Sequence, residues 1–427
     1  MVAGRESASL RRRVRAPAET GPLRIVAVIR VAEALEILRK TCPRGPSETV
    51  AIAEAWGRFL AEEIVADVDW PPFDTSAMDG YAVRAADAAA PGQGLSERPG
   101  LVAAGDRPPR ALEAGEAVRV MTGAPIPDGT EAVVPVEDAR REGDRVFASS
   151  APRVGDHVRR RGESVTAGTI LLERGQRLTA ARIALAAFAG ADPLPAYRRP
   201  RVTIAVTGNE LVPVSQTPGP GQLRDSNGPM LAALCRASGR QASLRSAVPD
   251  EDGAVARLFR EAGREEDVLI TSGGVSAGDL DLLPAEAERS GFHLLFHGVA
   301  MRPGKPIAVG LRGATLWFGL PGNPVSASVG FHLFVRFALD CLEGAAEPGL
   351  VVRRARLGRD IPVHGRRETY RDALLEFVEG EARVEPLRSL GSHDFAAHSR
   401  ANALIRIPTD AGSLSAGTLV DCLWLER

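Results

Sequence analysis

Three short segments carry the residue types that handle anions: Thr207-Gly208-Asn209-Glu210, Ser272-Gly273-Gly274-Val275-Ser276 and Pro321-Gly322-Asn323-Pro324-Val325-Ser326. Ser272-Gly273-Gly274 lets the backbone come close to a ligand and can turn successive N–H groups toward it. Gly322-Asn323-Pro324 reads as a helix start, with Pro324 near the first helical position and Asn323 as a cap. A helix start offers free N–H groups and the positive end of the dipole to a phosphate. Singly, each segment is an ordinary strand-to-helix turn. Together, on one sheet edge, they would form one anion crevice.

Carboxylates border the same loops: Glu210, Asp225, Asp250, Asp279 and Asp281. A carboxylate repels an oxyanion, so the combination makes most sense if a hard divalent cation bridges the two, and Mg²⁺ suits oxygen ligands. The aspartates are equally candidates for helix capping. Glu210 has no such structural duty. Arg302 and Lys305, in Met301-Arg302-Pro303-Gly304-Lys305-Pro306, supply positive charge on a turn, or form a solvated charged loop. Lys305 and Lys40 are the only lysines in a chain with 53 Lys and Arg together, so a lysine at a motif position is notable. A further motif, Pro71 to Val83, contains the turn signal Asp79-Gly80 and reads as a loop entering a β domain.

The elements that must position these residues follow from the patterning. A chain of 427 residues holds about three domains. Residues 1–24 are expected to be a disordered basic tail. Residues 25–69 and 155–200 read as a helical and extended linker domain, with helices at 31–42 and 179–190. Segment 70–154, rich in Gly and Pro with short Val-rich runs, is expected to be an inserted small β domain. From 201 to 345 strands alternate with helices, which implies a parallel sheet covered on both faces, with ligands beyond the carboxyl ends of the strands. Residues 350–427 show alternating strands (VVRRARL, ALLEFV, ALIRIP, VDCLWL), so a β-barrel or sandwich is expected there.

Composition limits the function classes. The net charge of −1 gives no basic field for nucleic acid or an acidic membrane. Four cysteines (Cys42, Cys235, Cys341, Cys422) lack metal-ligand or redox-motif spacing and read as reduced residues of a cytoplasmic protein. No apolar run is expected to reach a membrane span.

The phrases FDTSAMDGYAV, MTGAPIP, RRRGES, TGNEL, SGGVSAGDLD, MRPGKP and LPGNPVSA occur in that order from about residue 30 onward. By these motifs the chain resembles the molybdopterin molybdenumtransferase family (MoeA and the gephyrin E domain). The resemblance implies a four-part protomer that dimerises, with 201–342 as a molybdopterin-binding α/β domain. It implies insertion of molybdate into adenylylated molybdopterin, with Mg²⁺ and release of AMP. Carried over by motif, Asp79, Glu210, Asp250, Asp281, Arg302 and Lys305 match functional positions. Glu210, Asp250 and Asp281 are the metal candidates among them. The implied binding loops contain Thr122, Thr207, Gly208, Ser272, Gly273, Gly274, Ser276, Pro321, Gly322, Asn323, Pro324 and Ser326. Molybdopterin adenylyltransferase and molybdoenzyme maturation proteins are the further partners suggested. Three positions depart from the usual pattern: Ser164 replaces an aspartate, Gly298 a lysine, and Arg302 a lysine. Two other readings stay open, an adenylyltransferase and a paralogue that binds molybdopterin or scaffolds partners without turnover.

Overall fold

The computed structural model describes residues 28–425 apart from 91, 250–251, 276–281 and 364. The expected tail at 1–24 lies outside the described residues, as do Asp250, Ser276, Asp279 and Asp281. The chain divides into two compact units, one of 47–197 and one formed by 1–46 with 198–427.

In the first unit, a six-stranded sheet runs in the order Ala132–Pro135, Gly80–Val83, Glu116–Val120, Leu95–Val102, Arg145–Ala148, Ala139–Glu142. This is the β insertion anticipated from its turns. Around it, Ser47–Val50 pairs with Leu194–Tyr197, and Ile64–Val65 pairs with Ile170–Leu172. The helix Ala180–Phe188 starts at Thr179, whose side chain accepts a hydrogen bond from the Arg182 N–H.

The second unit is built on a sheet in the order Ala242–Val248, Val202–Thr207, Val268–Ser272, Thr315–Leu320, Ala308–Arg312, His293–His297. The first four strands are parallel, as expected. The last two extend the sheet through antiparallel pairings, so it is mixed rather than purely parallel. The cause is local. Arg312 and Thr315 are separated by two residues, which can close a hairpin but cannot make a parallel crossover. Alternate strand residues point to opposite faces. Val202, Ile204, Ile270 and Phe318 enter a core shared with the helices Asn227–Ala237 and Pro324–Leu342. Ala205, Leu269 and Trp317 enter another, against Asp252–Glu265 and Leu282–Arg289.

The helix Val31–Thr41, assigned above to the linker domain, packs instead on this core through Val31, Ala34 and Leu38. Contrary to the expectation of no membrane-length run, Pro324–Leu342 is long and apolar enough to cross a membrane, but 89% of its apolar window is buried inside the protein. It reads as a core helix. All four cysteines are free, and Cys42 and Cys341, remote in sequence, meet thiol to thiol.

Five strands near the C-terminus close a barrel: Glu368–Val378, Glu381–Pro386, Val352–Leu357, Leu419–Trp424, Ala403–Ile407 and back to Glu368–Val378. Glu381–Pro386 was not anticipated, because its charged sequence EARVEP gives only a faint alternation. Met301–Arg302 adds to the barrel sheet by pairing with Glu368–Thr369.

Candidate active site

The parallel registers bring three strand ends level. Val206 lies opposite Ser272, and Ser272 opposite Leu320. The loops that follow therefore share one edge, and they interlock. Ser272 Oγ accepts from Asn227 Nδ2 at 2.8 Å and donates to the Pro321 carbonyl at 3.2 Å. The same Asn227 Nδ2 donates to the Gly322 carbonyl at 2.7 Å. The Gly273 N–H donates to the Leu320 carbonyl at 3.0 Å. Gly273 has φ +101°, and a Cβ there would lie 2.6 Å from the Thr207 carbonyl oxygen, so the close approach of two loops requires glycine.

These loops line a crevice of about 1360 Å³ that includes Thr207, Gly208, Glu210, Ser272, Gly273, Gly274, Arg302, Lys305, Pro321, Gly322, Asn323, Pro324 and Ser326. All three loops thus contribute to one lining, although Asn209 of the first loop is not in it. Pro324 opens a helix as anticipated, but Asn323 does not cap it through its side chain. Its Nδ2 reaches Ser392 Oγ on the barrel at 3.1 Å instead. Asp225 has the capping role: its Oδ1 accepts from the Gly228 N–H at 2.9 Å.

The electrostatics favour an anion with a cation beside it. Arg302 and Lys305 are joined in the wall by Arg367 and Arg371 from the barrel. Burial and then the like charge of Arg359 pull Arg371 below the ordinary guanidinium pKa. Arg302 is not on a free loop, because its strand is paired to Glu368–Thr369. The Glu210 carboxylate makes no hydrogen bond or ion pair among the described residues, so a hard oxygen donor faces the crevice unengaged. Thr207 Oγ1 and Asn227 Oδ1 are buried there without a partner among the described residues, which suits a polar ligand. These are oxygen donors, the kind that a hard divalent cation takes. Among the described residues, however, no three His, Cys, Asp or Glu side chains cluster as a metal site.

Asp79 and Thr122 come together in the other compact unit. Asp79 Oδ1 accepts from the Thr122 N–H at 2.7 Å and from Thr122 Oγ1 at 2.8 Å. These bonds hold the carboxyl below its ordinary pKa. Gly80 follows because a Cβ there would meet the Val134 carbonyl. Gly298, where a lysine was the familiar residue, has φ +96°, a conformation L side chains rarely adopt. Ser164 serves through its backbone, donating to the Trp70 carbonyl at 3.0 Å.

The barrel residues were missed from the sequence, including Arg367, Arg371, Asp372, Ser392 and His393. Alternating strand patterning places them on a barrel but gives no sign of which wall meets the crevice.

Comparison with known proteins covers nearly the whole chain. Residues 29–190 match the family model of the MoeA N-terminal region (domain I and II). Residues 203–340 match a probable molybdopterin binding domain, and 354–425 match the MoeA C-terminal region (domain IV). A molybdopterin molybdenumtransferase of Bacillus subtilis (strain 168) is 36% identical over 405 residues, covering 92% of this chain and 94% of that protein. A molybdopterin molybdenumtransferase 2 of Mycobacterium tuberculosis (strain ATCC 25618 / H37Rv) is 37% identical over 381 residues, covering 87% of this chain and 93% of that protein. The crystal structure of a molybdopterin biosynthesis moeA protein from Pyrococcus horikoshii OT3 superposes with a TM-score of 0.80 at 30% identity, covering 93% of this chain and 100% of that one.

Proposed function

This chain belongs to the molybdopterin molybdenumtransferase family, and on that premise we propose that it inserts molybdate into adenylylated molybdopterin with release of AMP. It is an enzyme of molybdenum cofactor biosynthesis. The observation that carries the finer reading is the three glycine-bearing strand ends on one sheet edge, facing Arg302, Lys305, Arg367 and Arg371. N–H groups at the start of the helix from Pro324 and after Gly273 hold the phosphate of the pterin. The cationic side chains draw in molybdate and stabilise charge as water cleaves the phosphoanhydride, AMP leaves and the dithiolene sulfurs displace molybdate oxygen as water. Glu210, Asp250 and Asp281 are the residues that would hold Mg²⁺, which would supply charge neutralisation for the pyrophosphate. Asp79 and Thr122 belong to the same reaction in this reading. The protein works as a cytoplasmic homodimer, with molybdopterin adenylyltransferase and molybdoenzyme maturation proteins as neighbours in the sequence of reactions.

The test is product identity. The purified protein, given adenylylated molybdopterin and molybdate, is expected to release AMP. Pyrophosphate release from ATP and molybdopterin would identify an adenylyltransferase instead. Glu210→Ala is expected to lower AMP release by about 100-fold or more with an unchanged melting temperature. Full activity in that variant would remove Glu210 from the mechanism.

A further inference from the structure

The crevice wall also contains a hydrogen-bonded series that none of these roles uses. Asp372, on the barrel strand Glu368–Val378, lines the crevice. Its Oδ1 lies 2.7 Å from His398 Nδ1, and His398 Nε2 lies 2.9 Å from Ser328 Oγ. Ser328 is on the helix Pro324–Gly330, which begins at the Gly322-Asn323 loop. His398 ends the short barrel helix Phe395–His398. The residue types are those of a hydrolytic triad, but the accessibility is reversed. A nucleophilic serine must reach a carbonyl, whereas Ser328 is 2% exposed and absent from the crevice lining. Asp372, itself 6% exposed, is the member of the series in the crevice lining. The series therefore runs outward: a buried helix holds a hydroxyl, the hydroxyl holds an imidazole, and the imidazole fixes Asp372.

We propose that Asp372 binds a hydrogen-bond donor group of the substrate and that His398 is its positioning residue; this rests on the transferase reading above. An ionised carboxylate only accepts hydrogen bonds. Oδ1 is engaged by His398, and Oδ2 makes no hydrogen bond among the described residues. Among groups suited to oxyanions, an acceptor-only carboxylate repels phosphate and suits an uncharged part of the ligand carrying N–H or O–H donors. Two parts of an adenylylated molybdopterin offer them: the aminopyrimidine edge of the pterin, and the ribose and adenine of the nucleotide. Fixing the carboxylate in advance removes the cost of ordering it on binding.

The experiment uses the full chain and measures equilibrium binding of AMP and of molybdopterin separately, with melting temperatures in parallel. The amide of asparagine can replace imidazole Nδ1, and the longer glutamine can replace Nε2. His398→Phe, His398→Gln and Asp372→Asn are expected to bind one of the two ligands about tenfold more weakly. His398→Asn, which restores the bond to Asp372, is expected to recover that affinity, and His398→Gln is not. Loss confined to AMP assigns the carboxylate to the nucleotide, and loss confined to molybdopterin assigns it to the pterin. Unchanged affinity in Asp372→Asn would overturn the proposal, as would equal impairment in His398→Asn and His398→Gln. Weaker binding of both ligands that follows a lower melting temperature would also overturn it, as a purely structural role. A wild-type chain that bound neither ligand would instead overturn the transferase reading.

Discussion

Gly273 shows how little freedom the crevice leaves a single residue. Its φ of +101° and the 2.6 Å that would separate a Cβ from the Thr207 carbonyl oxygen are independent obstacles to any side chain. Gly273→Ala is therefore expected to lower stability by about 2 kcal/mol or more and to part the two loops. A urea titration would read the first effect, and weakened molybdopterin binding the second. Wild-type values for both would mean that the loop relaxes freely. Asp79 allows a gentler test. The Thr122 N–H, then its hydroxyl, keep the Asp79 carboxyl below its ordinary pKa. Thr122→Val removes one of these bonds, so the Asp79 pKa should rise toward its ordinary value, and Thr122→Ser should leave it low. A carboxyl NMR titration decides between them. The crevice glycines and Glu210 were legible in the sequence because a tight turn or a close approach permits few residue types. Asn323 was legible as a position but not as a role, since its bond to Ser392 depends on a loop 69 residues away.

Among elements, the start of the strand Glu116–Val120 carries a clamp. Glu116 accepts from Arg110 Nη2 at 2.6 Å, Arg98 Nη2 at 2.6 Å and the Glu113 N–H at 3.0 Å. Arg110, then Arg98, then the Glu113 N–H push its pKa down from 4.5 to about 2. A depressed carboxyl pKa gives stability that is present above the unfolded value and lost as pH falls through the folded one. The clamp should therefore hold at neutral pH and fail between about pH 4.5 and about pH 2. Glu116→Gln should melt lower than wild type at neutral pH and show a smaller fall across that window, which thermal melts at a series of pH values would reveal. Parallel slopes would locate the acid sensitivity elsewhere. The alternation of strands and helices after residue 201 was legible, but a buried run such as Ala308–Arg312 has no direction. The direction lay in the spacing, since Gly313-Ala314 is too short a link for anything but a hairpin.

At the scale of the molecule, the α/β core encloses an ionic group. Arg240, 3% exposed at its side chain, donates to Asp340 and Glu343, each at 2.6 Å. Asp340 also accepts from the Gly349 N–H at 2.9 Å, just before the barrel begins. Arg240→Met leaves two buried carboxylates uncompensated and is expected to cost about 3–5 kcal/mol in urea unfolding. Replacing all three residues with apolar ones of similar volume should recover most of that loss, because the burial cost of the charges disappears with them. A triple variant as unstable as the single one would contradict this account. The helix Val31–Thr41 makes the same point about legibility. Its apolar spacing was plain, but the choice of core depended on what stood nearby after folding.

The short strand Met301–Arg302 belongs by chain order to one domain and by hydrogen bonding to the next. Tyr370, Leu404 and Leu423 of the barrel likewise sit in the same apolar cluster as Ile204 and Phe318. The barrel is therefore not a portable module. Transplanted alone, it would leave one side of Glu368–Thr369 unpaired and expose an apolar flank. Chimaeras between homologues should keep activity when 298–307 travels with the barrel and lose it when the junction is cut near 350.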